Sequence, residues 1–283
     1  MRFCIAFIFL LGLFSIKGQN TDFNSVADDY LQSGDYANAL VEYERIAFEK
    51  PSVSLVNEAL FKKAFCYKQL GNFQMASKTL SRILLFGLSQ NELNDYFYEK
   101  ILCSYLSGDF NEAATTIDEM YATISSETDA NPSLLLQVLV YNELTDWKKA
   151  KDKAKEWVNV SFPCHEQDSL CALIEKRYAR PPKLKKERTA KILAFVPGLG
   201  HIYAGYWGEG FVSFTLNAAV LSFGVYQAWY GYYITAYLGG AGALSTTFFG
   251  NLYRAEYLVG KRNYKKIRAF NDEARVFFVL LNE

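Results

Sequence analysis

SGDYANAL, Ser33 to Leu40, returns along the chain as LGNFQMAS (Leu70 to Ser77), SGDFNEAA (Ser107 to Ala114) and LTDWKKAK (Leu144 to Lys151). Gly34, Gly71 and Gly108 stand 37 residues apart, and Thr145 holds the fourth place. Two positions on come Tyr36, Phe73, Phe110 and Trp147, and three beyond those Ala39, Ala76, Ala113 and Ala150. Upstream, Ala27, Ala64, Ile101 and Val138 fall in register, as do Tyr30, Tyr67, Ser104 and Tyr141; downstream, Ile46, Ile83, Met120 and Trp157 do. Independent columns that agree on one spacing mark a repeated supersecondary unit. Each unit reads as helix, turn, helix. Glycine tolerates the left-handed backbone that closes the first helix, the aromatic covers the turn, and alanine lets two helices approach closely. One such unit cannot bury its apolar face, so stacked neighbours share a core and leave a concave surface of first-helix residues.

These columns resemble the tetratricopeptide repeat, whose unit of about 34 residues has the same order of glycine, aromatic and small residue. The resemblance covers about Phe23 to Val160 and implies a solenoid of four units, assigned to residues 19–160. Thr145 departs from the glycine pattern, as suits an end repeat. Cys66 and Cys103 share one repeat position and read as packing residues.

The composition, 51% apolar and 16% aromatic over 283 residues, supplies enough core for one large or two modest domains. Thirty basic and thirty acidic residues balance, which gives nucleic acid no footing as a partner. The charges are unevenly placed. Basic residues crowd from Arg177 to Lys191 and from Arg254 to Lys266, while the 43 residues from Phe211 to Tyr253 carry no charge.

At the N-terminus, Arg2 precedes an apolar run from Phe3 to Ile16 and then Gly18, the layout of a cleaved signal peptide over residues 1–18. Four cysteines lie beyond it, so disulfides are permitted in an exported chain without being required. A Cys164–Cys171 bridge depends on irregular backbone near Pro163. As metal ligands, Cys164, His165 and Cys171 lack the paired spacing of structural zinc sites. No metal and no cofactor is expected.

The uncharged run is two spans long. Gly231 marks the break between a helix from Gly210 to Tyr230 and another from Tyr232 to Tyr253. Tyr203, Tyr206, Trp207 and Tyr257 gather at the open end and Tyr226, Trp229, Tyr230, Tyr232 and Tyr233 at the turn, as interfacial aromatics do. In the second helix Gly231, Thr235, Gly239, Ala243 and Thr247 recur every four residues, a smooth face for helix packing and a route to a homo-oligomer through the hairpin. Glu209 and Arg254 bracket the hairpin and meet at its open end if the helices run antiparallel.

Directly before the first span stands PGLGHIYAGYWGEG, Pro197 to Gly210. It lacks the lysine of a phosphate loop and the GxGxxG pattern after a strand, so its glycines are read as shaping an interfacial or re-entrant turn. The run resembles the proline- and glycine-rich lead-in of small bacterial two-helix membrane domains, roughly PGxGQxYxGxxxxG. Pro197, Gly198, Gly200, Tyr203, Gly205 and Gly210 match it, and His201 stands where that pattern has glutamine. The resemblance spans about Ala190 to Asn271 and brings no established activity with it. A lone histidine there reads as an amphipathic anchor, and no nucleophile context accompanies it.

The sequence therefore predicts an all-α chain, a helical-hairpin repeat solenoid followed by a C-terminal transmembrane helical hairpin. Its expected divisions are signal 1–18, repeats 19–160, basic linker 161–191, two-helix membrane domain 192–271 and tail 272–283. The expected function is an exported, membrane-anchored, non-enzymatic scaffold, with the lipid bilayer at one end and an envelope protein or peptide on the concave repeat surface. Residence in the bacterial inner membrane, with the repeats on the periplasmic side, is the expectation the signal sets. The competing reading is a membrane enzyme or transport component that uses the PGLGH loop and an oligomerised hairpin.

Overall fold

The structure, a computed structural model, describes residues 23–49, 52–124 and 133–282. The signal segment lies outside the described residues. Among the described residues all regular structure is helical, and the chain divides into two compact units between Glu127 and Thr128.

The first unit holds α1 (Phe23–Gln32), α2 (Tyr36–Glu49), α3 (Val53–Gln69), α4 (Phe73–Leu80), a 3-10 turn (Leu85–Gly87), α5 (Gln90–Leu106) and α6 (Phe110–Thr123), each α-helix packed on the next. The turns of the three pairs are alike because one small residue set builds each. Gly34, Gly71 and Gly108 adopt φ of +77°, +70° and +81°, the left-handed backbone in which a Cβ is costly. The next N–H donates back to the first helix, from Asp35 to Tyr30 (2.9 Å), Asn72 to Tyr67 (2.9 Å) and Asp109 to Ser104 (3.0 Å). The same three side chains then cap the second helix, accepting from the N–H of Asn38 (3.2 Å), Met75 (3.2 Å) and Glu112 (3.1 Å).

Every small column residue ends in the core: Ala27, Ala39, Ala76 and Ala113 are fully buried, and Tyr43, Ile46, Phe97, Ile101 and Ile117 fill the space around them. Cys66 and Cys103 lie among these apolar groups, and burial pushes their thiols up to about 11 and about 12, which keeps them protonated and inert.

Buried charge also holds the helices in register. Lys63 on α3, only 7% exposed, donates to Glu44 on α2 at 2.5 Å. Arg82, after α4, grips the same carboxylate at 2.8 and 3.1 Å. Arg82 holds Glu44 down to about 2 against the opposing effect of burial, and Lys63 adds to the lowering. A folded pKa below the ordinary 4.5 gives stability that is complete above that pH and is lost as pH falls from about 4.5 towards 2. Glu44→Gln should therefore shrink the gap between urea midpoints measured at pH 7 and pH 3, chiefly by lowering the pH 7 value.

The second unit begins with α7 (Leu134–Glu143) and α8 (Trp147–Ser161), joined through Thr145. Threonine here takes φ of +61°, and Asp146 both donates to Tyr141 (2.9 Å) and caps Lys149 (3.1 Å). The turn is built as the glycine turns are. This helix pair packs against helices from later in the chain. The segment read as a linker contains α9 (Cys164–Tyr178), whose Ile174 and Tyr178 are buried and which packs on α8. The segment read as a tail is the end of a long helix, with Ala274 and Phe278 buried.

A disulfide between Cys164 and Cys171 does not form, and both are free. They share the regular helix α9, where seven residues span about 10 Å, too far for a bridge. Among the described residues no histidine, cysteine and carboxylate group has metal-binding geometry.

After α9 come α10 (Glu187–Leu193), α11 (Leu199–Ala204), α12 (Trp207–Trp229) and α13 (Tyr233–Thr235). A π-helical stretch (Ala236–Gly242) then leads into α14 (Ala243–Asn282). The second helix of the expected hairpin thus does not stop near Tyr253. Nothing in the sequence after it breaks a helix, so α14 continues for 40 residues, about 60 Å.

Candidate functional site

α12 is long and apolar enough to cross a membrane. Its large side chains face outward: Phe211, Val212, Phe214, Leu216, Leu221 and Val225 are each more than half exposed, and Trp229 is 86% exposed. The inward face is small and polar. α12 packs antiparallel against the π stretch and α14, and the paired positions can be followed from end to end.

At the open end Arg254 Nε donates to Glu209 Oε2 at 2.9 Å and Nη2 to Oε1 at 3.1 Å, a two-pronged pair. One turn inward Ser213 Oγ donates to Asn251 Oδ1 (2.7 Å), and a further turn inward Thr247 Oγ1 donates to Asn217 Oδ1 (2.9 Å). Asn217 also donates to the Ser213 carbonyl (2.8 Å). Beyond this polar seam the backbones touch at Gly224 and Gly240, where a Cβ on Gly240 would stand 2.5 Å from the Gly224 Cα.

The small-residue face differs from the four-residue register read in the sequence. Gly231, with φ of +81° and no neighbour where its Cβ would be, closes the turn and packs against nothing. A Cβ on Gly239 would stand 3.0 Å from the Phe223 ring, and the tightest approach falls on Gly240. A π turn takes an extra residue per turn, which slides the contact line by one position. Ala243 is half-buried at the start of α14, beyond that turn.

The PGLGH run folds into the turn before α11 and α11 itself, packed against α10 and α14. Ala190, Ala194, Ala204, Leu252, Ala255 and Leu258 form its core. Gly198 has φ of +90°, and a Cβ there would strike the Gly210 carbonyl. Gly200 lies 2.7 Å, measured from an added Cβ, from the Ala190 carbonyl and from Ala194 and Ala255. Gly205, φ +93°, ends α11 where the Arg262 guanidinium sits, and Arg262 donates to the Ala204 carbonyl (2.8 Å). Gly210 abuts Ile202. Pro197 is half-buried in the turn, and the Tyr203 ring lies under the Lys185 ammonium, 4.8 Å from its centroid.

His201, expected as an interfacial anchor, is instead 2% exposed. Burial lowers its pKa, with Glu209 opposing and Arg254 assisting. Its Nδ1 and the Asn251 Nδ2 are buried with no hydrogen-bond partner among the described residues.

The site thus brings together Gly198, Gly200, Gly205 and Gly210 as a close-packed lead-in, and Glu209 with Arg254 as a pair. It leaves Gly34, Gly71, Gly108, Tyr36, Phe73 and Phe110 in the first unit, at turns. Of the seam, only Thr247 was singled out, as a packing residue, and its hydrogen bond to Asn217 places it against α12; Ser213, Asn217 and Asn251 were missed, although two polar pairs at i, i+4 inside an uncharged run were visible. No family model, curated protein or solved structure matches the chain.

The Glu209–Arg254 pair is about half exposed in water. Exposed pairs contribute about 0.2–1 kcal/mol, and partial desolvation would move the value upward. In a double-mutant cycle on detergent-solubilised protein, Glu209→Gln and Arg254→Gln should couple by at least about 0.5 kcal/mol. Simple additivity would show that the two charges act independently.

Proposed function

We propose that this chain is an exported helical-repeat scaffold, similar in its repeat columns to tetratricopeptide proteins. Residues from Gly210 to Tyr253 form a transmembrane hairpin in the bacterial inner membrane, and the repeats lie on the periplasmic side and bind an envelope protein or peptide. The observation that carries this reading is the pairing of two surfaces on one chain. α12 turns its large apolar side chains outward and its polar seam inward, the arrangement a bilayer demands and water penalises. The first unit meanwhile offers a hollow of about 310 Å³, lined by Phe61, Lys62, Phe65, Lys68 and Glu99, on the first-helix surface where repeat proteins bind partners.

The test uses the full chain in detergent with a photo-crosslinker at Phe65. A single envelope protein captured there, and lost on Lys62→Glu, supports the scaffold. Absence of any specific capture overturns it.

A second reading draws on the seam. Polar side chains within or beside a span usually mark a path or a site, and among the described residues Asn251 Nδ2 in the span and His201 Nδ1 just before it are buried without a partner. An enzyme or transport component would lose activity on His201→Ala while tolerating changes at Phe65; a scaffold shows the reverse.

A further inference from the structure

Several basic residues of the second unit, among them Lys151, Lys155, Arg177, Lys191, Arg254 and Arg275, have a carboxylate partner. A group gathered where the chain before α10 meets α14 does not. The chain before α10 is fastened to α14 by Asn263, which accepts from the Lys185 N–H (2.9 Å) and donates to the Lys185 carbonyl (2.7 Å), and by Lys266, which donates to the Lys183 carbonyl (3.2 Å). This brings Lys183 and Lys185 against Arg262 and Lys266, with Lys186 and Lys265 their immediate neighbours in the chain. Among the described residues none of these six forms an ion pair. Lys183, Lys186 and Lys265 are exposed, and among the described residues their side chains make no hydrogen bond or ion pair.

The cations crowd one another. Burial first, and then Arg262 and Lys266, lower the pKa of Lys185, which spends its ammonium on the Tyr203 carbonyl. Unpaired like charges held together by neutral hydrogen bonds cost stability unless an anion joins them. The neighbouring surface identifies the anion. From this basic collar α10 runs along α14 to a tip where Phe195 meets Phe248 (ring centroids 5.7 Å), and Ile192, Phe195, Val196 and Leu199 there are exposed. A charged rim joined to an apolar slope fits the two ends of one amphiphile, and the slope has no use for a free phosphate ion.

We propose that the collar and the α10–α11 slope form a binding site for an acidic phospholipid, its headgroup among Lys183, Lys186 and Lys265 and its acyl chains along Ile192, Phe195 and Val196. Polybasic segments beside spans attract anionic headgroups, each cation strengthening binding about fivefold. The proposal rests on the membrane reading above and goes further, to one lipid class and one place.

The test takes the full chain in neutral detergent and adds phosphatidylglycerol, phosphatidylcholine or inorganic phosphate, with thermal unfolding and retained lipid measured, the latter by native mass spectrometry. Phosphatidylglycerol should raise the midpoint and stay bound, while phosphatidylcholine should do neither. Lys183→Gln, Lys186→Gln and Lys265→Gln together should weaken phosphatidylglycerol retention about 100-fold, the equivalent of about 3 kcal/mol, with the lipid-free midpoint unchanged or raised as the crowding is relieved. Equal effects of both lipids, or a phosphate effect as large as that of the lipid, overturn the site. Carbonate extraction of the same protein from membranes separates the two claims: a resistant protein without lipid preference keeps the anchor and loses the site, and an extractable protein loses both.

Discussion

Gly198→Ala should destabilise the second unit by about 3 kcal/mol or more, and Gly208→Ala, ten residues on, should not destabilise it at all. Two costs coincide at Gly198. Its φ of +90° lies where an L-residue is strained by about 1–3 kcal/mol. An added Cβ would also run into the Gly210 carbonyl and press on the Phe214 Cβ at 3.4 Å, and overpacking a tight contact adds about 1–3 kcal/mol. The obstacle is backbone and cannot rotate away. Gly208 is also a glycine near the start of α12, but it is helical and a Cβ there meets nothing within 4 Å, so alanine gains helix propensity of up to about 1 kcal/mol. Denaturation of both variants in the same detergent, read from tryptophan fluorescence, gives the comparison. If Gly198→Ala proves as mild as Gly208→Ala, the close packing of the lead-in against α12 is wrong.

That contrast shows what the sequence made legible. The glycines of the lead-in were visible as a cluster, but their separate duties were not, because close approach to Gly210 or Arg262 is set by residues 12 and 57 positions away. Helix turns are local, so the glycine or threonine and the aromatic two residues on were readable. Even there the capping column of Asp35, Asn72, Asp109 and Asp146 went unnoticed beside the louder glycines, although it sits one residue after them. The buried column Lys63, Lys100 and Gln137 also keeps the 37-residue period, and its polarity masked it as surface. The slipped contact at Gly240 lay beyond reach, since a π turn has no strong sequence mark and moves every later residue by one. The buried state of His201 depends on α10, α11 and α14 meeting, which no spacing within Pro197 to Gly210 encodes.

The end of α14 shows the same limit on a larger scale and carries the second large effect. Phe270→Ala should cost about 3–5 kcal/mol and loosen the fourth helix pair while leaving residues 23–124 unchanged. Phe270, 8% exposed, packs edge-on to Trp147 (5.6 Å) and Tyr178 (5.8 Å), and the Arg177 guanidinium stacks on it at 4.4 Å while donating to its carbonyl (2.7 Å). Beside it Asn271 donates to the Asn142 carbonyl (3.0 Å), and Arg275 reaches Glu143 (2.8 Å). Trp147 is the turn aromatic of the fourth helix pair, so the partner of its ring comes from 123 residues downstream. Truncating Phe270 removes three ring contacts at once and leaves Arg177 stacked on nothing. Hydrogen exchange on the full chain distinguishes the outcomes. Faster exchange across Trp147–Ser161 and the end of α14, with α1 to α6 unaltered, shows that the fourth pair is stabilised by α14. Uniform loss across all four pairs would instead make residues 19–160 one cooperative solenoid, with α14 only leaning on its end.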